Sequence, residues 1–399
     1  MRARYDKEHF SKHSLPTPFY PRLAKLSQSA SWHCWKGFLS ADYFDKIDFE
    51  YFAIRNACSV MDLSPMRKYR VKGKDAEAFF DRLVTRDMSK LKPGRVGYSV
   101  WCNDQGRVVD DGTIFRFDEN DYRLCSYEHQ FEWLMISSAG FDVEISDETE
   151  EVAALSVQGP TTFAVLSKMG LKGLETLKPF GIMHFPYHGG ELMVSRTGFT
   201  GDLGYELWVK AEKALTLWDE LFEAGKNHGV RAIGTKALDI VRLEAGFIQA
   251  GDDFGPALHT IRKGHDRSPF ELGLDWLVHL DKPNFTGRRA LIEEKERGSK
   301  YRFVKLEIDG NKPAHASYIF HNQKKIAGVV TSAVWSPTCK KNIAFASLEA
   351  PKDHPLDDLW AEVYYQRELH WNRVWLRCLV HDAPFWNPPR RRATPPALF

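Results

Sequence analysis

The sequence predicts an α+β protein that closes on a small all-β unit. Apolar residues recur at helical spacing in DAEAFFDRLV and EKALTLWDELFEAGKNHG, and the segments around them alternate as strands. From about residue 300 only strands and turns remain: FVKLEID, KKIAGVVTSAVW, NIAFASLE, LWAEVYY and RVWLRCLV. A chain of 399 residues with 43% hydrophobic and 13% aromatic content can bury a large core, and its length points to two or three domains.

The first fifty residues are rich in aromatics and turn formers without a clear period, and read as an irregular arm packed against something larger. KYRVKG then alternates as a strand. In DAEAFFDRLV, Ala76, Phe79, Phe80 and Leu83 share a helical face, with Asp75 placed to cap it. Strands follow near 97–102, 108–117 and 122–126, then a helix near 131–138. A second αβ block starts near Val152. VAALSVQGP reads as a strand ending on the Gly159-Pro160 turn, followed by a helix near 161–169 and the strand ELMVSRTGF. Ala214, Leu217, Trp218, Leu221 and Phe222 form a core-facing stripe, and KALDIVRLEAG is a helix ending on Gly246. The expected organisation is an arm over 1–50, a core over 51–275 made of two interleaved domains with a boundary near 150, and a C-terminal region over 276–399. That region holds a barrel near 300–385 and a basic tail. No solenoid-period repeat or low-complexity stretch is present.

The formal charge is +2 with both signs interspersed, so no basic stripe marks a nucleic-acid partner. The one dense basic run, Arg390, Arg391 and Arg392 between prolines, reads as a solvated tail. Six scattered cysteines (Cys34, Cys58, Cys102, Cys125, Cys339, Cys378) form no ligand-spaced cluster, so no metal is expected and a reduced, cytoplasmic setting is. No apolar run reaches membrane-spanning length, MRARYDKEHFSKHSLP lacks an apolar leader core, and no membrane partner is expected. Phosphate-loop, dinucleotide, metalloprotease and nucleophile-elbow motifs are missing.

Two stretches carry chemistry. In NDQGRVVDDGTIFRF, Asp110 and Asp111 are adjacent on a strand, so they point to opposite faces and cannot act as a dyad on one substrate. Gly112 beside them marks close approach by a ligand or backbone. In RTGFTGDLGYELWV, glycines permit tight turns, and Glu206 opens a strand in an apolar run where an unpaired carboxylate is costly. Glu206 therefore needs donors, either from a ligand or from an arginine such as Arg242.

The blocks CSVMDLSPM, GYSVWCNDQGRVVDDGTIFRF, LSVQGP, RTGFTGDLGYELWV, LDIVRLEAG, NFTGRRAL and GVVTSAVWSPTCKKNIAFASL, in this order, resemble the glycine-cleavage T-protein (aminomethyltransferase) family. The resemblance implies a three-domain clover-leaf around a central hole that holds tetrahydrofolate, with a C-terminal β-barrel. It implies that Asp110 is the catalytic aspartate and that Glu206 accepts from the pterin edge, as a carboxylate suits two parallel N–H donors. By the same resemblance Tyr98, Phe199, Arg242 and Trp335 lie at the folate.

Three positions depart from that family's pattern: Pro65 replaces a histidine, Tyr127 an asparagine and Leu238 an arginine. The aromatic arm, with TPFYPRL, is similar to that of the family's aryl O-demethylases, which places Tyr20 at the active site. Together these shift the expected reaction to a tetrahydrofolate-dependent demethylation. A sulfonium, quaternary amine or aryl methyl ether would give its methyl to N5, yielding 5-methyltetrahydrofolate, with Tyr127 or Tyr20 protonating a phenolate leaving group. The partner would be a small-molecule methyl donor; the oligomeric state is open. The alternatives are aminomethyl-type transfer giving 5,10-methylenetetrahydrofolate, and a folate binder without catalysis.

Overall fold

A computed structural model describes residues 14–260, 264–350 and 356–398; the first thirteen residues of the expected arm lie outside these. Two sheets face each other in the N-terminal two thirds of the chain. The first is five-stranded and antiparallel, in the order Arg95–Cys102, Val108–Asp118, Asp121–Ser126, Arg67–Lys72, Glu144–Asp147. Helix Ala76–Leu83 covers one face, packing Phe79, Phe80 and Leu83 onto Tyr69, Trp101, Ile114 and Leu124. The other face carries Val96, Phe115 and Cys125.

The second sheet is six-stranded: Ile182–Tyr187, Gly190–Ser195, Gly204–Lys210, Val152–Gln158, Cys58–Asp62, Val230–Ala232, with only the last strand parallel to its neighbour. Helices Thr162–Lys168 and Ala214–Gly225 cover its outer face, burying Val165, Leu166, Leu217 and Trp218 against Leu155, Val157 and Leu207. Its inner face sets Ala154, Met193 and Trp208 against the first sheet, and Trp208 meets Phe115 edge-on at 5.2 Å. Burial on both faces explains why VAALSVQ is almost continuously apolar.

The helical punctuation differs from expectation at one end and matches it at another. Asp75 does not cap its helix; its Oδ2 accepts from the Asp142 N–H at 2.8 Å, tying the helix start to the neighbouring loop. Helix Thr235–Ala245 does end on Gly246, which takes φ 79°.

The C-terminal unit is a closed barrel of six strands, Tyr301–Ile308, Lys341–Glu349, Lys325–Ser336, Tyr318–His321, Leu359–Arg367 and His370–His381. Closure follows because Tyr301–Ile308 pairs with both Lys341–Glu349 and His370–His381. The barrel fills with Leu306, Ile319, Ala344, Leu359 and Val363, and its Ile343 and Phe345 dock on Leu243 of helix Thr235–Ala245.

Two outlying segments hold the units together. Helix Tyr20–Leu26 lies on helix Ala214–Gly225 through Phe19 against Trp218 (6.0 Å) and Arg22 to Asp219, and the hairpin Trp32–Trp35/Phe38–Ala41 follows it. Residues 386–394 are not the solvated tail expected from their charge. Arg390 donates twice to Asp202, at 2.6 and 2.8 Å, Trp386 bonds the carbonyl of Glu244, and Arg196 donates to the Ala393 carbonyl at 2.6 Å. The physical reason is Asp202, whose side chain is fully buried: an uncompensated carboxylate there costs several kcal/mol, and Arg55 reaches it only at 3.4 Å. Among the described residues no helix is long and apolar enough to cross a membrane.

Candidate functional site

Glu206 stands on strand Gly204–Lys210 opposite Ser195 on one neighbour and Ser156 on the other, on the face that carries Trp208 and looks at the first sheet. Its Oε2 accepts from Thr197 Oγ1 (2.5 Å) and Ser195 Oγ (3.3 Å), and Trp208 Nε1 donates to the same serine oxygen at 3.1 Å. Oε1 has no protein partner among the described residues. Burial pushes the Glu206 carboxyl up to about 7, with the two hydroxyls pulling the other way. The expected pairing with Arg242 is not made. Arg242 instead donates to Asp253 (2.5 Å), Asp239 (2.8 Å) and Ser332 (2.9 Å). Burial disfavours its charge, but Asp253 and Asp239 outweigh that and hold it above its ordinary value.

The glycines of this loop make room for Gln158. A Cβ at Gly198 or Gly204 would sit 2.1 or 1.9 Å from the Gln158 Oε1. Gln158 donates to the Thr197 and Tyr205 carbonyls and accepts from Thr200, so it clamps the turn that delivers Thr197 to Glu206. Sequence reasoning passed over this glutamine, although LSVQGP carries a lone amide in an apolar strand.

The paired aspartates part as the alternation requires, but the other way round. Asp110 pairs with Trp101 across the ladder and points into the helix-covered core, fully buried. It accepts from the N–H groups of Asp111 (2.9 Å) and Glu128 (3.0 Å) and from Gln130 Nε2 (3.3 Å). Asp111 shares its face with Thr113 and Phe115, the face turned to the second sheet, and accepts from the Tyr98 hydroxyl at 2.7 Å. Asp111, not Asp110, is therefore the acid on the sheet face opposite the helix-covered core, the face shared with Thr113 and Phe115. Burial raises both carboxyls above the usual range, Asp111 adding to the rise at Asp110 and Asp253 to that at Asp111, with the Tyr98 hydrogen bond opposing the latter. Gly112 is explained by backbone: a Cβ there would lie 2.1 Å from the Cys125 carbonyl oxygen.

The remaining candidates divide. Phe199 stacks on Phe247 at 5.3 Å, just beyond Gly246 and so beside the Arg242 helix. Tyr98 also meets Trp276 at 6.2 Å. Tyr127 stacks on Trp35 of the hairpin at 5.8 Å and lies under the Lys36 ammonium, which pairs with Glu128 at 2.7 Å. Tyr20 does not reach the site: it packs on Trp32, on the outer side of the six-stranded sheet and away from Glu206. Trp335 is 44% exposed on the barrel, its side chain without a ring or hydrogen-bond partner among the described residues, and is not brought to the other candidates. At Pro65, the flanking carbonyls of Ser64 and Met66 accept from the buried Lys68 ammonium, which desolvation lowers to about 8. Leu238 and Trp35 pack on one apolar cluster with Tyr51, Ile54 and Val241. No group of three or more metal-ligating side chains occurs among the described residues.

Two facing sheets and a closed six-stranded barrel define an α+β protein with a separate C-terminal barrel unit. The chain belongs to the glycine cleavage T-protein family: residues 16–282 match the GCVT N-terminal domain and residues 302–385 the glycine cleavage T-protein C-terminal barrel domain. It is 34% identical over 375 residues to an aminomethyltransferase of Caldanaerobacter subterraneus subsp. tengcongensis, covering 92% of this chain and 94% of that protein. An aminomethyltransferase of Thermoanaerobacter pseudethanolicus is 34% identical over 350 residues, covering 86% and 90%. The fold matches the glycine cleavage system aminomethyltransferase T of Bartonella henselae with TM-score 0.80 at 24% identity, covering 93% of this chain and 98% of that one.

These relatives overturn the demethylase expectation, which rested on Pro65, Tyr127, Leu238 and the arm. In the structure two of those departures lie in the surroundings of Trp35. Trp35 stacks on Tyr127 and shares a cluster with Leu238, and the arm's Tyr20 faces elsewhere.

Proposed function

We propose that the protein is an aminomethyltransferase that uses tetrahydrofolate as acceptor. An aminomethyl group carried on the sulfur of a lipoyl arm would give its carbon to the folate as the 5,10-methylene bridge. The two folate N–H protons and the ammonium then account for the released thiol and ammonium ion. The observation that carries this reading is the 34% identity to proteins of that name along nearly the whole of both chains.

The donor set fits the acceptor substrate. Glu206 holds one oxygen with Thr197 and Ser195 and keeps Oε1 available, which suits a heterocycle edge presenting parallel N–H donors. On this reading Asp111, oriented by the Tyr98 hydroxyl of the neighbouring strand in the five-stranded sheet, accepts a proton from the reacting nitrogen or stabilises positive charge on it. Its raised pKa suits proton exchange near neutrality. Asp110 acts through position: its hydrogen bonds fix the 128–130 turn that follows Tyr127. The Arg242–Asp253 pair locks helix Thr235–Ala245 to the barrel through Ser332.

The test is to incubate the purified protein with tetrahydrofolate and an aminomethylated lipoyl carrier, measuring ammonia and 5,10-methylenetetrahydrofolate together. Stoichiometric release of both supports the reading. Folate binding with neither product would overturn the transferase assignment.

A further inference from the structure

Strand alternation puts Glu206 and Trp208 on one face of Gly204–Lys210, with Ser195 across the ladder from Glu206. The Trp208 indole is buried and held edge-on by Phe115 of the facing sheet. So held, its Nε1 donates to Ser195 Oγ at 3.1 Å. Ser195 Oγ lies 2.7 Å from Thr197 Oγ1, which in turn lies 2.5 Å from Glu206 Oε2. Gln158 fixes the far end of this chain by donating to the Thr197 carbonyl at 3.2 Å. Trp208, Ser195 and Thr197 are buried, and Glu206 alone of the four is partly exposed.

Counting hydrogens gives the chain a direction. An indole N–H donates and never accepts, an ionised carboxylate accepts and never donates, and a hydroxyl has one hydrogen to give. Ser195 accepts from Trp208 and gives its hydrogen to Thr197, which gives its own to Oε2, so every group is satisfied. A proton on Oε2 breaks this order. Thr197 would turn its hydrogen back, Ser195 would receive two donors, and the serine hydrogen would be left facing the protonated oxygen 3.3 Å away. The chain thus favours the ionised carboxylate and directs any proton to Oε1. The charged and titratable groups of the facing sheet make no bond to Glu206. Burial keeps the Cys125 thiol protonated, with the Glu206 charge adding to that, and Arg123 lies 5.8 Å over the Trp208 ring but pairs with Glu148.

We propose that Trp208 is a positioning residue for substrate binding: through Ser195 and Thr197, its indole N–H keeps Oε2 an acceptor and reserves Oε1 for an N–H donor of the ligand. The identity of that donor, the pterin edge, rests on the folate reading above; the chain itself does not.

Two measurements test it. The first needs no ligand. In protein carrying isotope-labelled tryptophan, the indole N–H resonance missing from Trp208→Phe belongs to Trp208. Between about pH 5 and pH 9 it should move in one transition in wild type and stay still in Glu206→Gln. A resonance that ignores pH in wild type, or moves equally in Glu206→Gln, overturns the proposal. The second is calorimetric binding of 6-methyltetrahydropterin to wild type, Trp208→Phe and Ser195→Ala, each checked for its thermal midpoint. Trp208→Phe keeps an aromatic ring against Phe115 but has no N–H. It should bind roughly 3- to 10-fold more weakly at about pH 7 and match wild type at about pH 9, where Glu206 is ionised in both. Ser195→Ala breaks the chain one link further on and should show the same pH pattern. A loss of equal size at every pH would show a packing role and overturn the proposal, as would no loss at all. If wild type binds no pterin, the folate reading fails and the indole resonance alone decides the chain.

Discussion

Replacing Glu206 by glutamine tests the site through two opposite pH effects. In the free protein, burial raises the Glu206 carboxyl from 4.5 to about 7. A raised acid pKa means that the folded state binds the proton more tightly than the unfolded chain. Stability from this group is therefore full below pH 4.5 and is lost as pH rises through 7. At ~1.4 kcal/mol per unit, and allowing for partial exposure, wild type should lose about 2–3 kcal/mol over that window. The Glu206→Gln variant should lack this component, so the difference between their thermal midpoints should narrow or invert as pH rises from 5 to 8. With tetrahydrofolate the sign reverses. Ligand N–H donors need the ionised carboxylate, so wild-type affinity should rise through pH 7 while the variant binds roughly 10- to 100-fold more weakly at pH 8 with no such rise. Differential scanning fluorimetry across pH and calorimetric titration measure the two effects. Parallel pH profiles for both proteins, free and with ligand, would refute the assignment of Glu206 as the acceptor.

The swapped aspartates separate by assay: Asp111→Asn should cut turnover by about 10²–10⁴-fold with the thermal midpoint retained, whereas Asp110→Ala should cost about 1–3 kcal/mol in denaturant unfolding by stranding three N–H donors. Arg242→Met leaves Asp253 buried without its cation and should cost about 3–5 kcal/mol in urea unfolding, part of it recovered by adding Asp253→Asn. Arg390→Ala removes a two-point contact to Asp202 while Arg55 stays, so a loss of about 1–3 kcal/mol is expected, together with faster proteolysis of the 386–394 segment.

The paired acids show how far sequence reading reaches. Strand alternation required that they diverge, and they do. Which one faces the seam was illegible because this sheet is covered on both sides, by helices on one and a second sheet on the other. Apolar residues thus flank both acids, and a register shift between Trp101 and Cys102 breaks the count from the strand's start. Helical faces, the Gly246 cap and the barrel were legible because periodicity and turn chemistry are local. The basic run at Arg390 was misread because its partner Asp202 is 188 residues away in sequence, and charge composition says nothing about such a pairing.

The five-stranded sheet also sets an order of events in time. It is made wholly from residues 67–147, so its antiparallel pairings can close as soon as that stretch has been synthesised. Strand Cys58–Asp62 comes earlier yet must wait: Ser59 bonds the Gln158 carbonyl 99 residues on, and its other edge is met only by Val230–Ala232. During that interval a fully apolar-flanked strand has both edges open. Folding of the inserted sheet first would bring the ladder partners Asp62 and Leu155 close, shortening the loop that remains to be closed. Substitutions that destabilise the five-stranded sheet should therefore slow assembly of the six-stranded one, and raise aggregation during synthesis more than their cost to the finished protein would suggest.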